Sequence, residues 1–209
     1  MSHTTSTRER RKARTRRALL DEGLRLLEHQ SLSSLGLREV TRAAGVAPAA
    51  FYRHFRDMSD LGVALVEESI GSLHTVVATV LCGPVDEQER IDSTVRVIAE
   101  YVRDHPAHIR FIARERHGGV PAVRIAIRAQ LDRYTTEVAE ALGEDESSAG
   151  WSPADMRMLA ELYVHHMVMT ACAFLEAAQA EGPDEESVAR TARRQLMLIN
   201  AGRHHWQPG

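Results

Sequence analysis

Residues 33–56, SSLGLREVTRAAGVAPAAFYRHFR, decide how this chain is read. Leu37, Val40, Ala43 and Ala44 recur at helical spacing, so one side of a predicted helix is apolar and faces a core. Ser34 stands where a hydroxyl can cap the start of that helix. Gly45 stops it, because glycine enters the left-handed backbone region without a Cβ clash. Val46 and Ala47 lead to Pro48, whose fixed φ and missing N–H suit the first turn of a second helix. That second helix, Pro48 to Phe55, is too short and too aromatic to form a core alone. Two helices joined by a short turn containing glycine make the hairpin that enters a DNA groove. The alternative reading of the same pattern is an ordinary αα-corner in an enzyme.

Working outward, residues 1–9 read as a flexible arm, followed by a helix from Arg10 to His29. Its apolar side is Ala18, Leu19, Gly23, Leu24, Leu26 and Leu27. The basic run RERRKARTRR overlaps its start, and next to a helix-turn-helix it is placed to meet phosphates; the alternative is a solvated face. On the other side, Asp57 or Ser59 can cap a helix running to Leu81, which at 1.5 Å per residue spans roughly 35 Å. Cys82-Gly83-Pro84 ends it. Helices are predicted over 86–104, 106–116, 120–142, 153–181 and 184–203, and no segment alternates as a strand does. The fold class is therefore all-α, about nine helices: a three-helix head at 1–56 and a helical ligand-binding and dimerisation body at 57–209.

Hydrophobic residues make up 44% of the 209 and can fill a core, while no window approaches ~18 uninterrupted apolar residues. The start of the chain is polar and basic, without the apolar stretch of a signal peptide, and the expectation is a cytoplasmic protein without membrane contact. Cys82 and Cys172, far apart in sequence, form neither a zinc spacing nor a disulfide framework. The net charge of −3 hides a division. Residues 1–60 hold 12 Arg/Lys against 7 Asp/Glu, a net of +5, and the remainder 14 against 22, a net of −8. A basic head on an acidic body suits a protein that offers one end to a polyanion.

In a helix-turn-helix the N-terminal residues of the second helix meet base edges. Here those are Pro48, Ala49 and Ala50, which can touch thymine methyls or admit close backbone approach but donate no side-chain hydrogen bond. Base reading then leans on Arg38 and Arg53, each able to pair bidentately with guanine, and on Tyr52. Thr41, Tyr52, His54 and the Arg10–Arg17 run are the candidate phosphate anchors, and Phe51 and Phe55 the core. With few donors per head, tight binding calls for a homodimer on a palindromic double-stranded operator, half-sites ~34–36 Å or a multiple apart.

The stretch LREVTRAAGVAPAAFYRHFRD (residues 37–57) resembles the DNA-binding module of TetR-family one-component repressors, in which an apolar helix runs into A-G-V and a short helix ends F-Y-x-H-F. The resemblance implies phosphate contacts from the Thr of helix 2 and from the Y-x-H of helix 3, that is from Thr41, Tyr52 and His54. It also implies pairing of subunits through the last two long helices, where Met156, Leu159, Ala160, Tyr163, Val164, Met167, Ala171, Phe174 and Leu175, then Val188, Thr191, Ala192, Leu196 and Ile199, recur at helical spacing. The same residues could be intrachain core.

A second stretch, FIARERHGGVPAVRIAI (residues 111–127), resembles the FabR/DesT-like repressors of unsaturated fatty acid synthesis. That resemblance implies a long-chain acyl-CoA or acyl carrier as effector, regulating fatty acid metabolism genes. Phe111, Ile112, Met156, Met158, Tyr163, Met167, Met169 and Phe174 would line an adaptable apolar chamber, since methionine tolerates varied shapes. Arg114, Glu115 and Arg116 become candidates for coupling or for meeting a polar head group; a surface ion cluster is the alternative. An effector would shift a population between two spacings of the heads, transmitted by helix 57–81. A regulator of efflux or catabolic genes answering another hydrophobic molecule is the second reading.

An enzyme would need a constellation that is missing: HExxH, GxGxxG, GxxxxGK[ST] and GxSxG do not occur. His105-x-x-His108, His165-His166 and His204-His205 invite a metal, but Glu161 with His165 is a lone pair at i, i+4. No cofactor, no metal ligand and no catalytic residue is assigned.

Overall fold

A computed structural model describes residues 3–81, 86–144, 150–179 and 182–206, with side chains from residue 8 onward apart from 72–81. Within these residues there are nine helices and no strand: α1 (His3–Leu26), α2 (Leu37–Ala43), α3 (Pro48–Phe51), α4 (Met58–Leu81), α5 (Glu87–Asp104), α6 (Pro106–Glu115), α7 (Pro121–Gly143), α8 (Pro153–Ala178) and α9 (Glu185–His205). The expected all-α class holds. The stop at Cys82-Gly83-Pro84 and most of the acidic-serine linker lie outside the described residues, as do the side chains of Leu73, Val76, Val77 and Val80.

The helix boundaries follow local chemistry. Asp57 accepts the Asp60 N–H at 2.8 Å and caps α4. Asp86, Ser152 and Asp184 do the same for α5, α8 and α9. Pro48, Pro106, Pro121 and Pro153 open four helices, the place where a missing N–H costs nothing. One boundary departs from expectation at the start: α1 is helical from His3, so most of the expected arm continues the helix.

Two packing units emerge, and they do not follow a single cut in the sequence. The first holds residues 1–70 and 110–128, the second 71–109 and 129–209. In the first, α1, α2 and α3 pack on one another over Leu19, Leu27, Val40, Phe51 and Phe55. Leu61, Leu65, Val66, Ile70, Phe111, Val123 and Ile127 are also deeply buried in this unit.

In the second, α5, α8 and α9 pack mutually around Ile91, Val95, Ile98, Phe174, Val188 and Leu196. Among the described residues α8 is the one helix long and apolar enough to cross a membrane by length and composition. Its Ala160, Val164, Phe174 and Leu175 are buried in this unit, and Arg157 and Glu161 pair on its exposed side.

Candidate DNA-binding interface

The turn between α2 and α3 is built as its sequence demands. Gly45 sits at φ +65°, the Gly45 N–H reaches the Arg42 carbonyl at 3.2 Å, and the Val46 N–H reaches the Thr41 carbonyl at 2.9 Å. This is a Schellman closure, which uses the last free carbonyls of α2 and turns the chain toward α3. Two local expectations are corrected. Gly36, not Ser34, occupies the N-cap of α2, and no side chain caps it; the Ser34 hydroxyl donates to the Ser31 carbonyl at 2.8 Å. α3 closes at Phe51 rather than Phe55, because His54 N–H bonds to the Phe51 carbonyl at 2.8 Å and the chain tightens. That winding brings the Phe51 and Phe55 rings to 5.5 Å between centroids, both in the core as expected.

On the outer side, Pro48, Ala49, Arg38 and Arg53 are exposed, Ala50 is half-buried, and Tyr52 is 63% exposed with its ring edge-on to Phe51 at 5.8 Å. An aromatic of that size left in water above a packed partner is presented rather than stored. Thr41 differs from these: it is 2% exposed and its hydroxyl donates to the Arg38 carbonyl at 3.3 Å.

His54 is half-buried with its Nδ1 enclosed and, among the described residues, without a hydrogen-bond partner. Burial lowers its pKa below the ordinary histidine value, and the nearby charges of Lys12, Arg16 and Arg53 push the same way. Those cations mark a local positive field where α1 meets the segment after α3. Sequence reasoning names the basic run but not this convergence, since some forty residues separate its members.

The run itself divides. Arg17 is held by Asp21 at 2.8 Å and Glu68 at 2.7 Å, and the Arg16 guanidinium lies over the Phe55 ring, while Arg10, Arg11, Lys12 and Arg14 stay exposed. Arg42, one helical turn beyond Arg38 and exposed, belongs with the same face; its i, i+4 spacing was the available signal.

The proposed chamber residues fall into both packing units. Phe111 and Ile112 are core of the first. Arg114 donates to backbone carbonyls of the chain that follows α1, and Arg116 is half-buried. Met156 and Phe174 are buried in the second unit, Met167 and Tyr163 pack partly buried against its core, and the Tyr163 hydroxyl bonds to Asn200.

Met158 and Met169 point outward, a correction to their place in a lining. The apolar stripe offered for pairing turns inward instead: its Leu159, Ala160, Val164, Phe174 and Leu175 are intrachain core, and the exposed apolar face of α8 is Met158, Leu162 and Met169. Of the histidine pairs, His105 stacks near His108 at 5.4 Å, His166 meets Gln195 and His204 meets Glu87. Among the described residues, no three His, Cys, Asp or Glu converge as metal ligands.

Known proteins agree with this geometry. The family model for bacterial regulatory proteins of the tetR family matches residues 19–65. Over the whole chain the fold is similar to a TetR-family regulator from Syntrophomonas wolfei (15% identity, TM-score 0.73, 90% of this chain and 95% of that one). It is similar also to a TetR-family regulator from Streptomyces coelicolor (20%, 0.70, 98% and 97%). A third is the transcriptional regulator FadR from Bacillus subtilis, solved in complex with stearoyl-CoA (14%, 0.68, 86% and 96%). Residues 19–65, the helix-turn-helix and the helices that carry it, are thus the part of the chain that matches the tetR family model, and over the remaining helices the likeness is one of fold.

Proposed function

We propose that this regulator is a cytoplasmic repressor that binds a palindromic DNA operator as a homodimer and changes its affinity when a long-chain acyl-CoA binds its body, residues 57–209, the DNA-reading head being 1–56. The observation that carries the DNA half is the exposed set Arg38, Pro48, Ala49, Tyr52 and Arg53 on a closed helix-turn-helix, beside the cations around His54. Residues 111–127, with their likeness to FabR/DesT-like repressors, and a whole-chain fold shared with a regulator that holds stearoyl-CoA support the fatty-acid half. Met158, Leu162 and Met169 on α8, with Met197 and Leu198 on α9, form exposed apolar faces that a second subunit would cover. An effector works only through differential affinity for two states, and one that binds both equally changes nothing.

The second reading, an efflux or catabolic regulator answering another hydrophobic molecule, is favoured by one observation: the Streptomyces regulator matches as well as the acyl-CoA-bound one, so fold alone does not choose the ligand. Fluorescence anisotropy on DNA from the gene's own upstream region, at fixed salt, tests both readings. An affinity shift that differs between saturated and unsaturated acyl-CoA is expected. Tight binding indifferent to both would discard the acyl-CoA effector and keep the repressor.

A further inference from the structure

Among the described residues Glu115 is the most deeply buried charged side chain, 1% exposed, at the last position of α6. Its Oε1 accepts the Leu32 N–H at 2.8 Å, while Oε2 is enclosed without a hydrogen-bond partner. A Cβ on Gly118 would fall 2.2 Å from that second oxygen, so glycine there leaves the carboxylate its room. Beside it, Arg114 Nη1 donates to the Leu27 and Gln30 carbonyls, both at 2.8 Å, and Nη2 reaches the Glu28 carbonyl at 3.4 Å. Arg110 pairs with the Glu28 carboxylate at 3.0 Å. Five polar links thus run from α6 to the segment between α1 and α2, all inside one packing unit.

That segment is also tied to α2. Gln30, whose carbonyl Arg114 holds, donates its side-chain amide to Glu39 of α2 at 2.7 Å. Leu27, Glu28 and Gln30 lie just beyond the end of α1, and a planar guanidinium can satisfy several of their carbonyls at once with charge-assisted bonds. A buried carboxylate is a poor choice for stability alone, since an apolar side chain of similar volume avoids its desolvation. What the charged pair supplies is direction: a bond to one N–H and to particular carbonyls fixes one arrangement of the loop, where an apolar contact would tolerate sliding.

We propose that Arg114 and Glu115 are positioning residues for DNA reading, which hold residues 27–32 and thereby the angle at which α2 and α3 are presented. The role rests on the DNA-binding function proposed above. It also replaces a head-group contact for Arg114, whose guanidinium is already committed to three carbonyls.

The test uses the full chain as wild type, Arg114→Ala, Arg114→Lys, Glu115→Gln and, as control, Arg133→Ala, a surface residue of the second unit. A random duplex library selects the sequence preferred by wild type. Anisotropy then gives affinities for that duplex and a scrambled one, with backbone hydrogen exchange in parallel. Arg114→Ala and Glu115→Gln should lose about tenfold or more on the selected duplex, and hold the scrambled duplex within about twofold, because phosphate contacts carry that binding.

Amides of residues 27–45 should exchange faster in both variants. Arg114→Lys, which keeps charge and stem and so guards against a misfolded variant, should fall between, and Arg133→Ala should match wild type. Equal losses on both duplexes, or wild-type exchange across 27–45, overturn the proposal. A library that wild type fails to enrich overturns DNA reading itself, and the positioning role with it. Enrichment with unaffected variants overturns only the positioning role.

Discussion

The guanidinium carbon of Arg16 lies 5.0 Å from the centroid of the Phe55 ring. One aromatic therefore closes the core of the head and carries a cation of the basic helix on its outer face. Such a contact is worth ~0.5–1 kcal/mol when exposed. Phe55→Leu removes it and leaves a gap beside Phe51, and should cost about 1–3 kcal/mol of stability. Urea unfolding followed by circular dichroism measures this, and an unchanged midpoint would show that the ring is not a core member.

Tyr52 and Arg53 are both exposed, and neither should matter to folding. If Tyr52 holds phosphate, Tyr52→Ala weakens specific and non-specific DNA alike, whereas a loss confined to the operator would make it a base reader. Arg53→Ala should cost ~1–3 kcal/mol on the operator if its guanidinium meets guanine. Unaltered operator affinity would strike Arg53 from the base-reading set.

His54 makes the head sensitive to acid. Its folded pKa is lowered by burial and by Lys12, Arg16 and Arg53, so the unfolded chain binds the proton more readily. Above the ordinary histidine value of about 6.5 neither state is protonated and the group has no effect. As pH falls through that value the unfolded state gains protons first, so stability is lost on acidification. A phosphate at the ring would favour the charged form, and DNA affinity should rise over the same window. His54→Gln should flatten both trends, and DNA affinity that is level from pH 7.5 to about pH 5.5 in wild type would remove the ring from the phosphate contact.

Two glycines of α4 make an internal control. A Cβ at Gly62 would lie 2.3 Å from Leu32 Cδ2 and 2.7 Å from Val123 Cγ2, while at Gly71 none of the described residues places an atom within 4 Å. Gly62→Ala should therefore destabilise by ~1–3 kcal/mol through overpacking. Gly71→Ala should stabilise by ~0.5–1 kcal/mol, because alanine loses less backbone entropy in a helix. Thermal melts of the two variants compare them directly, and shifts of the same sign would refute the packing described around Gly62.

The helices, most of their ends and the helix-turn-helix of the head are legible in neighbouring residues alone. Gly45, Asp57, Pro48, Pro106, Pro121 and Pro153 act through their own backbone torsions and their nearest hydrogen bonds, so the ends they mark are legible without a partner. Which face turns inward is set by the packing of helices distant in sequence. The stripes of α8 fit a dimer interface and a core equally well in one dimension, and only packing with α5 and α9 separates Leu159 and Phe174 inside from Leu162 and Met169 outside. Thr41 is read as a phosphate anchor from its place in a motif, yet the fold buries it. Arg114 and Glu115 look like a surface cluster or a ligand contact until the chain brings them onto Leu27, Gln30 and Leu32, more than eighty residues away. Local chemistry is written in neighbouring residues, whereas the partner of a buried charge is set by how distant helices meet.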